Sequence, residues 1–250
     1  MKNSTQRFSD RVENYIKYRP SYPVEAVNFL YSLGISKESS VADIGSGTGI
    51  LCELLIENVN KLYGVEPNKE MREAAEVKLK EFENFISING SAEETTLPEN
   101  SVDYITCAQA FHWFDIEKSF KEFRRILKQK GKLILLWNNR INNTDFLKGY
   151  EEALLNFAVD YKEVNHQNLT DEILEKCFIS DYQKTIFPNS QTFDFTGLMG
   201  RLFSSSYTPQ AGHTNYEKLI KQMKILFEKY NENGFVKFNY NTEIFSGQIK

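Results

Sequence analysis

Val41-Ala42-Asp43-Ile44-Gly45-Ser46-Gly47-Thr48-Gly49 reads as a strand ending in a tight turn, and Ile50 to Asn58 read as the amphipathic helix that the turn feeds. Glycine belongs where a loop takes a strained dihedral or lets a ligand touch bare backbone. A helix N-terminus adds unpaired N–H donors and a partial positive charge. A nucleotide-like ligand fits such a crook. The dinucleotide fingerprint G-x-G-x-x-G has nearly the same shape, but here the third glycine is Gly49 and the next residue is Ile50.

With Asp43 two residues before the first glycine, the full pattern is D-x-G-x-G-x-G. It resembles the first motif of class I S-adenosylmethionine-dependent methyltransferases. The resemblance implies an α/β fold: a Rossmann-like, seven-stranded, mostly parallel sheet with one antiparallel strand, helices on both faces, and an N-terminal arm and helical insert forming a cap. It implies one methyltransferase domain over residues 1–250, with an arm at 1–35, a cofactor-binding core at 36–141, a substrate cap at 142–234 holding a late strand near 183–195, and a final strand at 235–250. The implied cofactor is S-adenosyl-L-methionine, leaving as S-adenosyl-L-homocysteine, held at Asp43, Gly45, Ser46, Gly47, Thr48 and Gly49.

The length suits one catalytic domain with inserted elements. At 41% hydrophobic and 26% charged residues the composition is that of a globular protein, which excludes disordered and fibrous classes. Thirty basic and 34 acidic residues are mixed along the chain, for a net charge of −4, so no basic stripe offers itself to nucleic acid. No stretch approaches a membrane span, and the start carries no apolar leader, so a cytoplasmic protein without membrane partners is expected. Cys52, Cys107 and Cys177 lack metal-ligand spacing and read as reduced core thiols; no metal is expected. The assembly expected is a monomer or homodimer.

Before the glycine loop, Tyr15-Ile-Lys-Tyr18-Arg19-Pro20-Ser-Tyr22-Pro23 is aromatic and proline-punctuated, and Pro23 is placed to start a helix over Val24–Leu33. Tyr18 and Tyr22 read either as surface packing or as part of an arm over the cofactor; the methyltransferase resemblance places Tyr18 and Arg19 near it. After the loop, Lys61–Val65 reads as a second strand ending in Glu66-Pro67. Glu66 lies about twenty residues past the loop, where a carboxylate accepts from two ribose hydroxyls. Met71, one turn into the next helix, reads as an apolar floor for adenine or as core. The resemblance adds Ala92 and Glu93, after the third strand Phe85–Ser91, as readers of the adenine edge.

A fourth strand, Ser101–Gln109, runs into Ala110-Phe111-His112-Trp113-Phe114-Asp115, and ligands collect at the carboxyl ends of strands in open α/β sheets. Gln109 is therefore placed at the cofactor. His112 reads as a packed core histidine or as a base or hydrogen-bond partner. Trp113 and Phe114 read as substrate-side aromatics, since ring faces attract a sulfonium cation and exclude water, or as core. Asp115 is placed to cap the helix Ile116–Leu127. A fifth strand, Gly131–Arg140, is almost continuously apolar, as a strand buried on both faces should be. Beyond it come helical spacing over Phe146–Phe157, a short piece over Thr170–Phe178, strand-like runs on either side of Pro188-Asn189, an amphipathic helix over Tyr216–Tyr230 and a closing β-rich run from Phe235.

The arm, the run Gln109–Asp115 and Arg201-Leu-Phe-Ser-Ser-Ser-Tyr207-Thr-Pro209 are most similar to the trans-aconitate methyltransferase-like group. The implied partner is a small-molecule acceptor. A carboxylate acceptor is already ionised and needs cationic and hydroxyl partners, for which Arg140, Arg201, Ser205 and Tyr207 are the candidates. A phenol, amine or carbon acceptor needs a base, and His112 is then the catalytic candidate. An NAD-dependent oxidoreductase, and a cofactor-binding protein without catalysis, are the alternatives from other classes.

Overall fold

A computed structural model describes residues 11–161, 171–179 and 182–249. The elements run α1 (Val12–Tyr18), α2 (Val24–Ser32), β1 (Ser40–Ile44), α3 (Ile50–Leu55), β2 (Lys61–Val65), α4 (Lys69–Leu79), β3 (Phe85–Ile88), β4 (Val102–Ala108), α5 (Ile116–Ile126), β5 (Leu127–Arg140), α6 (Asp145–Phe157), α7 (Asp171–Cys177), β6 (Gln183–Phe193), α8 (Phe195–Phe203), α9 (Tyr216–Tyr230) and β7 (Val236–Gly247). The expected arm residues 1–10, and Thr170 at the start of the expected short helix, lie outside the described residues.

All seven strands join one sheet in the order β3-β2-β1-β4-β5-β7-β6. The first five are mutually parallel, and β7 runs antiparallel to both β5 and β6, giving the single reversed strand that the sequence resemblance implied. The order reverses between β1 and β4, where the chain crosses from one half of the sheet to the other. A crevice at the carboxyl ends of the strands opens at such a point.

Two apolar layers cover the sheet. On one face Leu133, Leu135 and Trp137 of β5 meet Phe120, Phe123 and Ile126 of α5. On the other, Ile134 and Leu136 meet Ala26 and Leu30 of α2 and Leu51 and Leu55 of α3. Alternate residues of one strand thus feed both layers, which explains the unbroken apolar run. A third cluster joins α6, α8 and α9 to β7 through Tyr150, Leu198, Met223 and Phe238. The lysines at 218, 221 and 224 are exposed on the outer side of α9, as its amphipathic pattern predicts.

Several boundaries differ from the sequence pattern; β3, for one, ends at Ile88 rather than Ser91. The helix after the glycine turn ends at Leu55 and closes with a 3-10 turn, Ile56–Asn58. β5 begins four residues early because Leu127 pairs with Val102 ahead of a register irregularity, across an exposed polar Lys128-Gln-Lys130 that carries no apolar signal. The two runs around Pro188 are one strand: β6 lies at the sheet edge, where a residue without an N–H breaks no central ladder.

Candidate active site

The turn after β1 is built as its glycines predict. Gly45, Gly47 and Gly49 have φ of 71°, 55° and 76°, and Gly49 caps α3 in the left-handed conformation. The Gly45 and Ser46 N–H groups donate to the Val65 carbonyl, at 2.8 and 3.2 Å, which holds the turn against the end of β2. A side chain at Gly47 would meet only Met71 Sδ, 3.9 Å away, so the space above this residue is open. Glu66 sits beneath it, accepting from Gly47 N–H at 2.9 Å through Oε2 and from Asn68 N–H at 2.8 Å through Oε1. Asp43 is wholly buried and accepts from Thr106 Oγ1 at 2.8 Å and Cys52 Sγ at 3.3 Å. Burial outweighs those two donors and pushes its carboxyl up to about 6.

Two connected cavities, of about 840 and 1180 Å3, meet over the turn, sharing Tyr15, Gly45, Gly47, Ala108, Gln109 and Trp113. The smaller one carries Glu66, Pro67, Met71, Ala92, Glu93 and Phe114. Glu93 accepts through Oε1 from the Asp115 N–H, 2.9 Å away, and Asp115 caps α5 by accepting from Lys118 N–H. Gln109 bends there with φ 58°, a conformation costly for any residue with a Cβ. Phe114, expected on the substrate side, faces the turn instead, because Gly45 leaves room for its ring: a Cβ there would stand 3.4 Å from it.

The larger cavity carries Arg19, Asp43, Ser46, Thr48, His112, Arg140, Arg201 and Tyr207. Arg201 is buried and donates to Ser205 Oγ at 3.0 Å and Tyr240 OH at 3.4 Å. Arg19 donates to the Ser204 carbonyl at 3.1 Å and lies 4.8 Å over the Tyr15 ring. Burial and the neighbouring Arg201 hold Arg19 below its ordinary range. Burial pushes the Tyr207 phenol up, yet Arg201, Arg140 and Arg19 outweigh it and hold it below its usual value. Arg140 is engaged by Glu151 and Tyr161.

Gly49 and Tyr18 stand outside both cavities. Gly49 packs on Ala75 and Leu79, and the Tyr18 ring fills the space over Gly200, 6.3 Å from Phe193. Ser205 reaches the cleft through Arg201, while its neighbour Ser206 lines it. Tyr15, Asn138, Glu151, Tyr161 and Tyr240 also line the cleft and were not singled out from the sequence. Asn138 and Asn189 both donate to the Ser21 carbonyl, tying the arm to β5 and β6. Their only sequence signal is polarity inside strands that are otherwise buried or alternating.

The buried Thr48 hydroxyl has no hydrogen-bond partner among the described residues, and the space over Gly47 is open, so the turn fits a polar ligand lying on its backbone. A methyltransferase-domain family model matches residues 42–135, the span from β1 into the fifth strand's apolar run. An uncharacterised methyltransferase of Mycobacterium tuberculosis is 37% identical over 147 residues, covering 59% of this chain and 58% of the relative. The chain therefore matches under two thirds of that relative's length. A Saccharomyces cerevisiae protein named for S-adenosylmethionine-dependent methyl transfer is 31% identical over 123 residues, covering 47% of this chain and 42% of its own. Among solved structures, one from Anaeromyxobacter dehalogenans, provisionally assigned as a type II methyltransferase, superposes with a TM-score of 0.64 at 17% identity, over 92% of this chain and 98% of its own. The Bacillus subtilis YcgJ protein does so at 0.56 and 22% identity, over 91% and 99%. Residues 42–135 thus match a methyltransferase domain, and the chain as a whole has the Rossmann-like fold of the solved methyltransferase structures on which it superposes.

Proposed function

We propose that the whole chain is an S-adenosylmethionine-dependent methyltransferase acting on a small carboxylic acid. An acid of trans-aconitate type is the member of that class to which the sequence resemblance points. The observation that carries this reading is Arg201, buried at the cleft with hydroxyl partners and, among the described residues, no carboxylate within ion-pair distance. A buried charge costs several kcal/mol unless compensated, so its counter-ion is read as a ligand's.

Asp43, the Gly45–Thr48 turn, Glu66, Met71, Ala92, Glu93 and Gln109 would hold the cofactor, with Arg19 and Tyr15 closing over it. When bound, the cofactor supplies an electrophilic methyl group on a sulfonium. Arg201, held in place by Ser205, and Tyr207 orient the acceptor carboxylate, which is ionised at neutral pH and needs no base. Trp113 and the arm keep water away, and the gain comes from holding two reactants in line. The elements α1, α6, α8 and α9 are read as the cap over this chamber.

Calorimetric titration with S-adenosylhomocysteine, with NAD in parallel, tests the cofactor half. Binding of the former alone is expected, and binding of NAD alone would overturn the class. A labelled methyl donor with a panel of carboxylic acids, trans-aconitate included, then tests the acceptor: base-labile methyl esters are the expected products. Transfer to phenols or amines alone would move the role to His112, which also lines the cleft.

A further inference from the structure

Of three guanidiniums at the cleft, one already holds an anion of the protein's own. Arg140 Nη2 donates to Glu151 Oε2 and to Tyr161 OH, the latter at 3.0 Å, and Tyr161 OH donates to the same Glu151 oxygen at 2.7 Å. The guanidinium also lies 4.7 Å over the Tyr150 ring. The side chains are only 10% and 21% exposed, so this pair is not a solvent-screened surface bridge. Arg140 comes from the end of β5 and Glu151 from the middle of α6, and both face the cavity that Arg19 and Arg201 line.

We infer that Glu151 determines specificity by charge: its carboxylate occupies the position on Arg140 that a second carboxylate of the acceptor would take. The inference rests on the carboxylate reading above and narrows it to acids with one carboxylate, against the tricarboxylate trans-aconitate to which the sequence resemblance points. Two cations then face ligand anions, Arg19 and Arg201, neither with a carboxylate in ion-pair reach among the described residues. The amino-acid end of the cofactor brings one carboxylate and the acceptor brings the other. A further acceptor carboxylate would have to sit beside Glu151, and like charges placed together in a desolvated site reject a ligand strongly. Acids with a single carboxylate are therefore preferred over their dicarboxylate counterparts. A pair that merely fastened α6 to β5 would carry no such preference.

Competition experiments with straight-chain acids of four to ten carbons, matched as mono- and dicarboxylates, read this directly in the presence of S-adenosylhomocysteine. The wild type is expected to favour monoacids by about tenfold or more, and Glu151→Gln to shift that ratio toward diacids by about tenfold, equivalent to about 1.4 kcal/mol. The double variant Arg140→Gln with Glu151→Gln leaves no buried unpaired charge and should return the wild-type preference. An unchanged ratio in Glu151→Gln, or a double variant that loses diacids relative to wild type, would overturn the inference. Should the single variant fail to bind S-adenosylhomocysteine, the wild-type ratio decides: equal binding of mono- and diacids by the wild type would overturn the inference, and the preference for monoacids by about tenfold would support it. Should the wild type bind S-adenosylhomocysteine but none of the acids, the carboxylate reading itself falls and takes this inference with it.

Discussion

The backbone N–H of Gly47 donates to Glu66 Oε2 across 2.9 Å, so the turn after β1 is held by the carboxylate at the end of β2. The other oxygen of Glu66 takes the Asn68 N–H, at the start of α4. One side chain therefore fixes two ligand-facing loops, and burial raises its pKa while those backbone donors oppose the shift. Glu66→Ala leaves both N–H groups without their acceptor, at about 1–3 kcal/mol each where water cannot replace it. Urea titration should show a loss of about 2 kcal/mol or more, and calorimetry at least tenfold weaker S-adenosylhomocysteine binding. Full stability with weakened binding would assign Glu66 to ligand contact alone.

Gly47→Val should separate folding from binding. Its φ of 55° costs a branched residue about 1–2 kcal/mol, but no protein atom lies closer than 3.9 Å to the added Cβ. The isopropyl group then occupies ligand space. Circular dichroism should stay native while S-adenosylhomocysteine binding disappears, and retained binding would remove the turn from the site.

Asp43 gives the protein a pH signature. Its folded pKa, about 6, lies above the ordinary 3.8, so the folded state binds a proton that the unfolded state has released in that window. This contribution makes stability fall as pH rises from about 4 to about 6, by about 3 kcal/mol in total. Chemical denaturation of wild type and Asp43→Asn across that range should show the slope in the difference between them. A constant difference would place the Asp43 pKa near its unfolded value.

The strand, turn and helix around Asp43 and Gly49 were legible because glycine spacing and apolar periodicity are local properties. So were the unbroken run of β5, the cap at Asp115 and the lysine face of α9. Pro188 split one strand into two in the sequence because nothing local says that β6 is an edge. The cleft was half legible for the same reason. Arg140 and Arg201 could be singled out as cations, but the Glu151 that neutralises one and spares the other lies on a helix whose position depends on α9 and β7 packing. Tyr15 and Tyr18 sit three residues apart on one short helix; only the tertiary fold decides that Gly200 receives Tyr18 and that Tyr15 lines the cavities.

His112 discriminates between acceptor chemistries. It lies in the 3-10 turn Phe111–Trp113 at the cleft wall, its ring 4.9 Å from that of Trp113. A carboxylate acceptor requires no proton removal, so His112→Ala should leave kcat within about fivefold of wild type. A protic acceptor would make the loss about a hundredfold or more. Steady-state kinetics with the best acid found in the screen reads this directly.

Arg201 should trade stability for activity. Without ligand it is a buried cation whose partners are hydroxyls, Ser205 at 3.0 Å and Tyr240 at 3.4 Å, and such a charge is a burden that apolar replacement relieves. Arg201→Met is therefore expected to melt no lower than wild type, and above it at low salt, while losing turnover of carboxylic acids almost completely. Arg201→Lys keeps the charge but lacks the planar fork that grips a carboxylate at two points, so KM for the acid should rise by about tenfold or more. Affinity for S-adenosylhomocysteine, measured on both variants, should stay close to wild type because Arg201 is assigned to the acceptor. Had the guanidinium been retained to brace α8 against β7, Arg201→Met would unfold at a lower temperature and both ligands would weaken together.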